Sequence, residues 1–322
     1  MWHFILCDII STVLLIETGK IMDIKDNFRH MNSMQQKAVF CTEGPLLILA
    51  GAGSGKTTVL VNRIAYILQS GLCMPWQILA ITFTNKAAGE LKDRICNAVP
   101  EGGDDIWAAT FHSTCARILR RYGDRLGYSS HFTVYDTADQ KSLIKKILNQ
   151  LNYDEKRLPI KSITAEISKA KDKMQTPEQM LKKADGDFRK EQIAKVYQLY
   201  QSELKNSDAM DFDDMLCNTV KLFEENPDVL QFYQNQFKYI MVDEYQDTNK
   251  VQYKFVAMLA DKSKNICVVG DDDQSIYKFR GATIENILSF ENNFKNAKVI
   301  RLEQNYRSTK TILNAANKVI EN

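Results

Sequence analysis

The chain has 322 residues, room for one large domain or two ordinary ones, since a single core stops growing at roughly 250 to 300 residues. With 44% hydrophobic and 25% charged residues and no long biased tract, its composition excludes a disordered or low-complexity chain. A formal charge of +2 excludes a polycation, so contact with nucleic acid has to come from local concentrations of Lys and Arg. At the start of the chain, Trp2 to Ile16 is apolar apart from His3, Asp8 and a few hydroxyls. It is too short to span a bilayer comfortably, and it lacks the basic leader and small-residue cleavage site of a secretory signal. No membrane association is expected. Residues 1–21 read as a non-native extension, the alternative being an extra packed strand or helix.

Pro45 to Ala50 predicts a strand, the glycines after it a loop, and Lys56 to Gln69 a helix, with Leu60, Ile64 and Ile67 at helical spacing. Short apolar runs recur at Ile78 to Phe83, Tyr239 to Val242, Ile266 to Val269 and Val299 to Leu302. Polar or glycine-containing loops follow each of them, as in an α/β protein whose parallel sheet carries its active loops at the strand ends. Between Ser113 and Met210 the pattern becomes helical: Asp136 can cap a helix running to Leu151, and Thr176 with Pro177 can start another. From Gln140 to Asn206 there are 15 Lys and Arg against 9 Asp and Glu, either a phosphate-facing surface or a solvated helical face. The seven cysteines are scattered, with no CxxC pair, which predicts a reduced cytoplasmic protein.

The strongest local motif is Ala50-Gly51-Ala52-Gly53-Ser54-Gly55-Lys56-Thr57, followed by Thr58. It is a Walker A loop with alanine at the usual first glycine. Its glycines let backbone N–H groups turn toward phosphate oxygens, and the following helix presents its positive end to them. Lys56 can reach the β and γ phosphates of ATP, and Thr57 can ligate Mg²⁺. Tyr239-Ile240-Met241-Val242-Asp243-Glu244 is an apolar strand delivering two carboxylates, Asp243 to hold the metal and Glu244 to polarise the attacking water. The distance along the chain between these motifs exceeds one crossover unit and demands an insertion.

Around these two sites the chain from Met22 onward resembles superfamily-one DNA helicases of the UvrD, Rep and PcrA type. Asn32 and Gln35 look like the adenine-recognising Q motif. Ile81-Thr82-Phe83-Thr84-Asn85-Lys86-Ala87-Ala88 looks like the motif that contacts single-stranded DNA. Thr110-Phe111-His112-Ser113 and Asp211-Phe212-Asp213-Asp214 look like signatures bordering the insert. The run from Asp243 to Asn249, with Gly270-Asp271-Asp272-Asp273-Gln274-Ser275-Ile276-Tyr277-Lys278-Phe279-Arg280-Gly281-Ala282, carries most of the resemblance. There Gln274 would sense the γ-phosphate, and Tyr277 and Phe279, beside Arg280, would stack on bases. Phe279 stands where the family usually has tryptophan. Gln304-Asn305-Tyr306-Arg307-Ser308 looks like the opening of a second motor domain, with Tyr306 on adenine and Arg307 as an arginine finger.

The resemblance implies a RecA-like P-loop NTPase sheet with an inserted helical subdomain. A first motor domain would span residues 22–112 and 211–300, with the helical insert at 113–210 and a second, truncated motor domain starting at 301–322. It implies ATP and Mg²⁺ as cofactors, and contacts with DNA at Phe83, Asn85, His112, Tyr277, Phe279 and Arg280. The partners would be single-stranded DNA, the single-strand/duplex junction and a missing C-terminal motor domain. A 3′ to 5′ helicase or translocase is the leading expectation. A protein that binds ATP and single-stranded DNA without unwinding, or the motor of a helicase-nuclease, are the alternatives.

Overall fold

A computed structural model describes residues 24–271, 287, 290–309 and 311. In chain order the elements are α1 (Ser33–Phe40), β1 (Leu46–Ala50), α2 (Lys56–Gln69), β2 (Ile78–Thr82), α3 (Asn85–Ala98), β3 (Trp107–Thr110) and α4 (Phe111–Tyr122). The chain continues through β4 (Thr133–Tyr135), α5 (Thr137–Gln150), α6 (Ile160–Asp172), α7 (Pro177–Lys182), α8 (Phe188–Asn206), β5 (Ala209–Asp211), α9 (Phe212–Glu225) and α10 (Pro227–Gln236). It closes with β6 (Tyr239–Val242), α11 (Lys250–Ala260), β7 (Ile266–Gly270), α12 (Phe290–Asn293) and β8 (Lys298–Leu302).

Six strands form one sheet in the order β3-β2-β6-β7-β1-β8, with every neighbouring pair parallel. Parallel strands need crossovers, and the crossover helices cover both faces, so β1, β2, β6 and β7 are buried along their whole length. The two-residue period of a strand divides each run between two cores. Leu46 and Ile48 face the core built with α1, α2 and α3, whereas Leu47 and Leu49 face the core built with α4, α9, α10 and α11.

A third core, from Ile144 to Ala209, belongs to the helical block. The block is entered and left through β4 and β5, which pair in parallel as Thr133↔Ala209, Val134↔Met210 and Tyr135↔Asp211. The strand β4 and the start of β5 therefore fall within the run read as helical. α4 follows β3 directly and buries Phe111, Cys115, Ile118 and Leu119 in the sheet's own core. Asp136 caps α5 with its carboxylate accepting from Ala138 and Asp139, and Thr176 caps α7 in a reciprocal box with Gln179. Among the described residues no helix is long and apolar enough to cross a membrane.

Candidate nucleotide and DNA sites

The carboxyl ends of the parallel strands share one edge of the sheet, where ligands of open α/β sheets bind. At β1 the chain leaves buried Ala50 and turns through Gly51 to Gly55 into α2. Gly53 and Gly55 hold φ of 77° and 88°, left-handed values that glycine adopts without strain. Ser54 closes the turn, its N–H and hydroxyl donating to the Gly51 carbonyl at 3.3 and 2.7 Å. Close packing also constrains the turn. A Cβ on Gly53 would lie 2.5 Å from Arg307 Cβ, and one on Gly55 would lie 2.9 Å from Gln35 Nε2.

β7 separates β1 from β6, and the residues ending these three strands converge. Lys56 Nζ lies 3.3 Å from Glu244 Oε2 and 3.9 Å from Asp271 Oδ2. Glu244 adopts φ 49°, a left-handed conformation unusual for a side-chain-bearing residue and of the kind concentrated at functional sites. It is held by Gln246, whose amide donates to Glu244 Oε2 at 2.9 Å and accepts from the Asp271 N–H at 3.1 Å. Burial, and then the adjacent Glu244 charge, raise Asp243 to about 6. Asp247 is raised to about 6 by the same two causes, and its buried Oδ1 has no hydrogen-bond partner among the described residues.

A cleft of about 460 Å³ lies over the loop, walled by Ala52, Gly53, Gly55, Lys56, Thr57, Thr58, Glu244, Tyr306 and Arg307. The segment after β8 is fixed there. The Tyr306 N–H donates to the Gly53 carbonyl at 2.9 Å, its hydroxyl accepts from Asn32 Nδ2 at 2.8 Å, and Asn305 Nδ2 donates to the Ala52 carbonyl. Gln35 is buried, with both ends of its amide engaged: Nε2 donates to the Ser54 carbonyl at 3.1 Å, and Oε1 accepts from the Asn32 N–H at 3.2 Å. In this structure it braces the loop.

Two residues that the sequence reading missed also wall the cleft, Glu90 and Arg94 of α3. They stand one turn apart on the polar face of an amphipathic helix, a pattern that reads as solvated surface until tertiary structure folds it over the loop.

At the ends of β2 and β3, a second depression of about 280 Å³ is lined by Phe83, Asn85, His112, Ser113 and Phe212, among others. Thr84 and Thr110 cap α3 and α4, which fixes the backbone carrying Asn85 and His112. The His112 ring meets Phe212 edge-on at 5.5 Å, and Phe83 meets Phe111 at 5.4 Å. Burial lowers the His112 pKa, which favours the uncharged ring. Phe212, 44% exposed, was quoted within a motif but not singled out; a large apolar side chain that stays at the surface beside other rings is the signal. Gln274, Tyr277, Phe279 and Arg280 lie outside the described residues, as do residues 1–21.

A parallel sheet with a phosphate-binding loop after β1 and a carboxylate pair after β6 defines a P-loop nucleoside-triphosphatase fold. A family model for the N-terminal domain of UvrD/REP helicases matches residues 31–295, and the chain belongs to that family. The ATP-dependent DNA helicase PcrA of Staphylococcus epidermidis strain RP62A is 56% identical over 293 residues, which cover 91% of this chain. Its counterpart from Staphylococcus aureus strain Mu50 is 55% identical over the same length. The chain spans 40% of the length of these curated relatives.

Proposed function

We propose that the chain forms the ATP-binding part of an ATP-dependent DNA helicase or translocase. The observation that carries this reading is a single cleft over the glycine loop, lined by Lys56 and Glu244, which lie 3.3 Å apart, and by Tyr306 and Arg307. In it, backbone N–H groups of the loop after β1 and the Lys56 ammonium take the phosphates, and Arg94 and Arg307 add positive charge to the lining. Glu244 orients and polarises the attacking water, while the adenine stacks on Tyr306. Gln35 reads the base only by exchanging its bonds to Ser54 and Asn32.

The Thr57 hydroxyl and the Asp243 carboxylate are hard oxygen donors, and they fit Mg²⁺, which is commonly held by one or two carboxylates with the phosphates of the nucleotide. When bound, that ion neutralises charge on the β and γ phosphates. Single-stranded DNA takes the depression of Phe83, Asn85 and His112, with Phe212 as a further stacking face, because ring contact grips any base. Acting at a single-strand/duplex junction, with 3′ to 5′ polarity and a second motor domain, follows the family reading. A cytoplasmic location accords with the six described cysteines, all of them free thiols.

The test separates binding from turnover. Lys56→Ala should lower affinity for a fluorescent ATP analogue by at least about 100-fold, as loss of a charge-assisted phosphate contact implies. Glu244→Gln should bind it as the parent does and lose hydrolysis by about 100-fold or more. Normal phosphate release by folded Glu244→Gln protein would remove the assignment of Glu244.

A further inference from the structure

The last turn of α6 joins the helical block to the sheet domain, and three elements hold it. Lys171 is buried, with its ammonium 2.6 Å from Asp211 Oδ2 and 2.8 Å from Asp214 Oδ1, at the capped start of α9. The Cys217 thiol donates to the Lys171 carbonyl at 3.4 Å. Asp172, the next residue, accepts at Oδ1 a 2.7 Å hydrogen bond from Asn249 Nδ2. Met174 then turns with φ 51° and packs against the core on which β6 and α11 lie.

Asn249 ends the segment that starts at Asp243, and it is fixed as the cap of α11 by reciprocal bonds with Gln252 of 2.9 and 3.0 Å. The residues between Glu244 and Asn249 leave little slack. Tyr245 and Thr248 are fully buried, the Thr248 hydroxyl donates to the Tyr245 carbonyl at 2.7 Å, and Gln246 bonds Glu244 directly. In close-packed surroundings a shift at Asn249 is passed on rather than absorbed.

We infer that Asp172 is a positioning residue for ATP hydrolysis, its bond to Asn249 tying the basic helical block to the segment that aims Glu244. The inference rests on the reading of this chain as an ATP hydrolase. Nucleic acid held in the depression that Phe212 lines bears on the start of α9, whose Asp211 and Asp214 hold Lys171, and Asp172 carries that on to Asn249. Burial, then the nearby Asp213 charge, raise Asp172 to about 7. Its carbonyl oxygen accepts from Asn249 whether or not the carboxyl is protonated, so a neutral amide should replace it.

The experiment compares the full chain with Asp172→Ala, Asp172→Asn, Asn249→Ser and the Asp172→Ala/Asn249→Ser double variant. Serine keeps the α11 cap and removes the long donor. ATP turnover is followed against ATP concentration with and without oligo-dT, and hydrogen exchange is followed at the amides of residues 244–249. Asp172→Ala and Asn249→Ser should each lower the oligo-dT-stimulated kcat about tenfold with KM within about twofold, the pattern of a lost transition-state contact. The double variant should be no worse than either single one, since both break the same bond. Asp172→Asn should match the parent. Exchange at residues 244–249 should rise in the Ala and Ser variants, while β1 and β7 keep their protection. Parent-like stimulated kcat in Asp172→Ala, additive losses, or unchanged exchange would each overturn the tether. A parent chain with no turnover at all would count against the hydrolase reading, and the exchange data alone would then decide the tether.

Discussion

Arg63 shows how one buried side chain can set up a site it does not touch. It lies on α2, 1% exposed, and its guanidinium donates to the carbonyls of Ala38 at 2.8 Å, Thr42 at 3.1 Å and Cys41. Those carbonyls belong to the end of α1 and the residues after it, where a helix leaves its last acceptors unsatisfied. The fork therefore locks α1 against α2, and α1 carries Asn32 and Gln35 to Tyr306 and the phosphate loop. Arg63→Leu should cost about 3 kcal/mol in urea unfolding, because the buried Ala38 carbonyl and the half-buried carbonyls of Cys41 and Thr42 lose their donor. Arg63→Lys should recover only part of that, since a point charge cannot serve three acceptors in a plane. If Arg63→Leu unfolds at the parent's urea midpoint, the fork is not what holds α1.

α6 is the element with the most at stake. Lys171 neutralises two buried carboxylates, and Tyr200 donates its hydroxyl to Asp211 Oδ2 at 2.9 Å. Lys171→Met should destabilise the chain by about 3–5 kcal/mol, because Asp211 and Asp214 would face each other without a counter-charge. The pH response should follow Asp214, whose pKa burial and the Asp211 charge raise to about 7, against the Lys171 attraction. The folded chain then binds a proton that the unfolded chain, with a carboxylate pKa near roughly 3.9, does not. Its contribution to stability grows as pH falls from about 7 toward about 4 and is lost as pH rises through about 7. In thermal melts, the Tm of the parent relative to Asp214→Asn should therefore rise between pH 8 and pH 5; a constant difference would show that Asp214 does not titrate in that range.

Much of this element-level architecture was legible in the sequence. Lys56–Gln69, the Asp136 cap and the Thr176-Pro177 start are set by neighbours within a few residues, so local spacing sufficed. β3, β4 and β5 were not read, because three or four residues with little apolar contrast form strands only through partners distant in sequence. Lys171 had a visible signal: it stands four residues after Ile167 and eight after Ile163, on the apolar stripe of α6, where a charge implies a buried partner. What the sequence could not reveal is that the partners are Asp211 and Asp214, because that pairing crosses from one core to another.

At the scale of the molecule, the nucleotide cleft and the aromatic depression lie along the same edge of one sheet. β2 carries Phe83 at its end and pairs with β6, which carries Asp243 and Glu244. Nucleotide and oligo-dT should consequently bind with a coupling that is equal in both directions, as linkage requires. The check is to titrate a non-hydrolysable ATP analogue with and without saturating oligo-dT, then reverse the order. A factor of about 5 or more, the same either way, is expected. Independent binding would mean that the shared edge transmits nothing.

The strand order also has a consequence in time. In the sheet, β1 is flanked by β7 and β8 alone, and neither exists while the ribosome is still making the residues between Gln69 and Ile266. At ~5–20 residues per second, translation leaves Leu46–Ala50, five consecutive apolar residues, without sheet neighbours for on the order of ten to forty seconds. The nucleotide loop is thus among the first segments synthesised, yet the strand it follows gains its sheet neighbours only near the end.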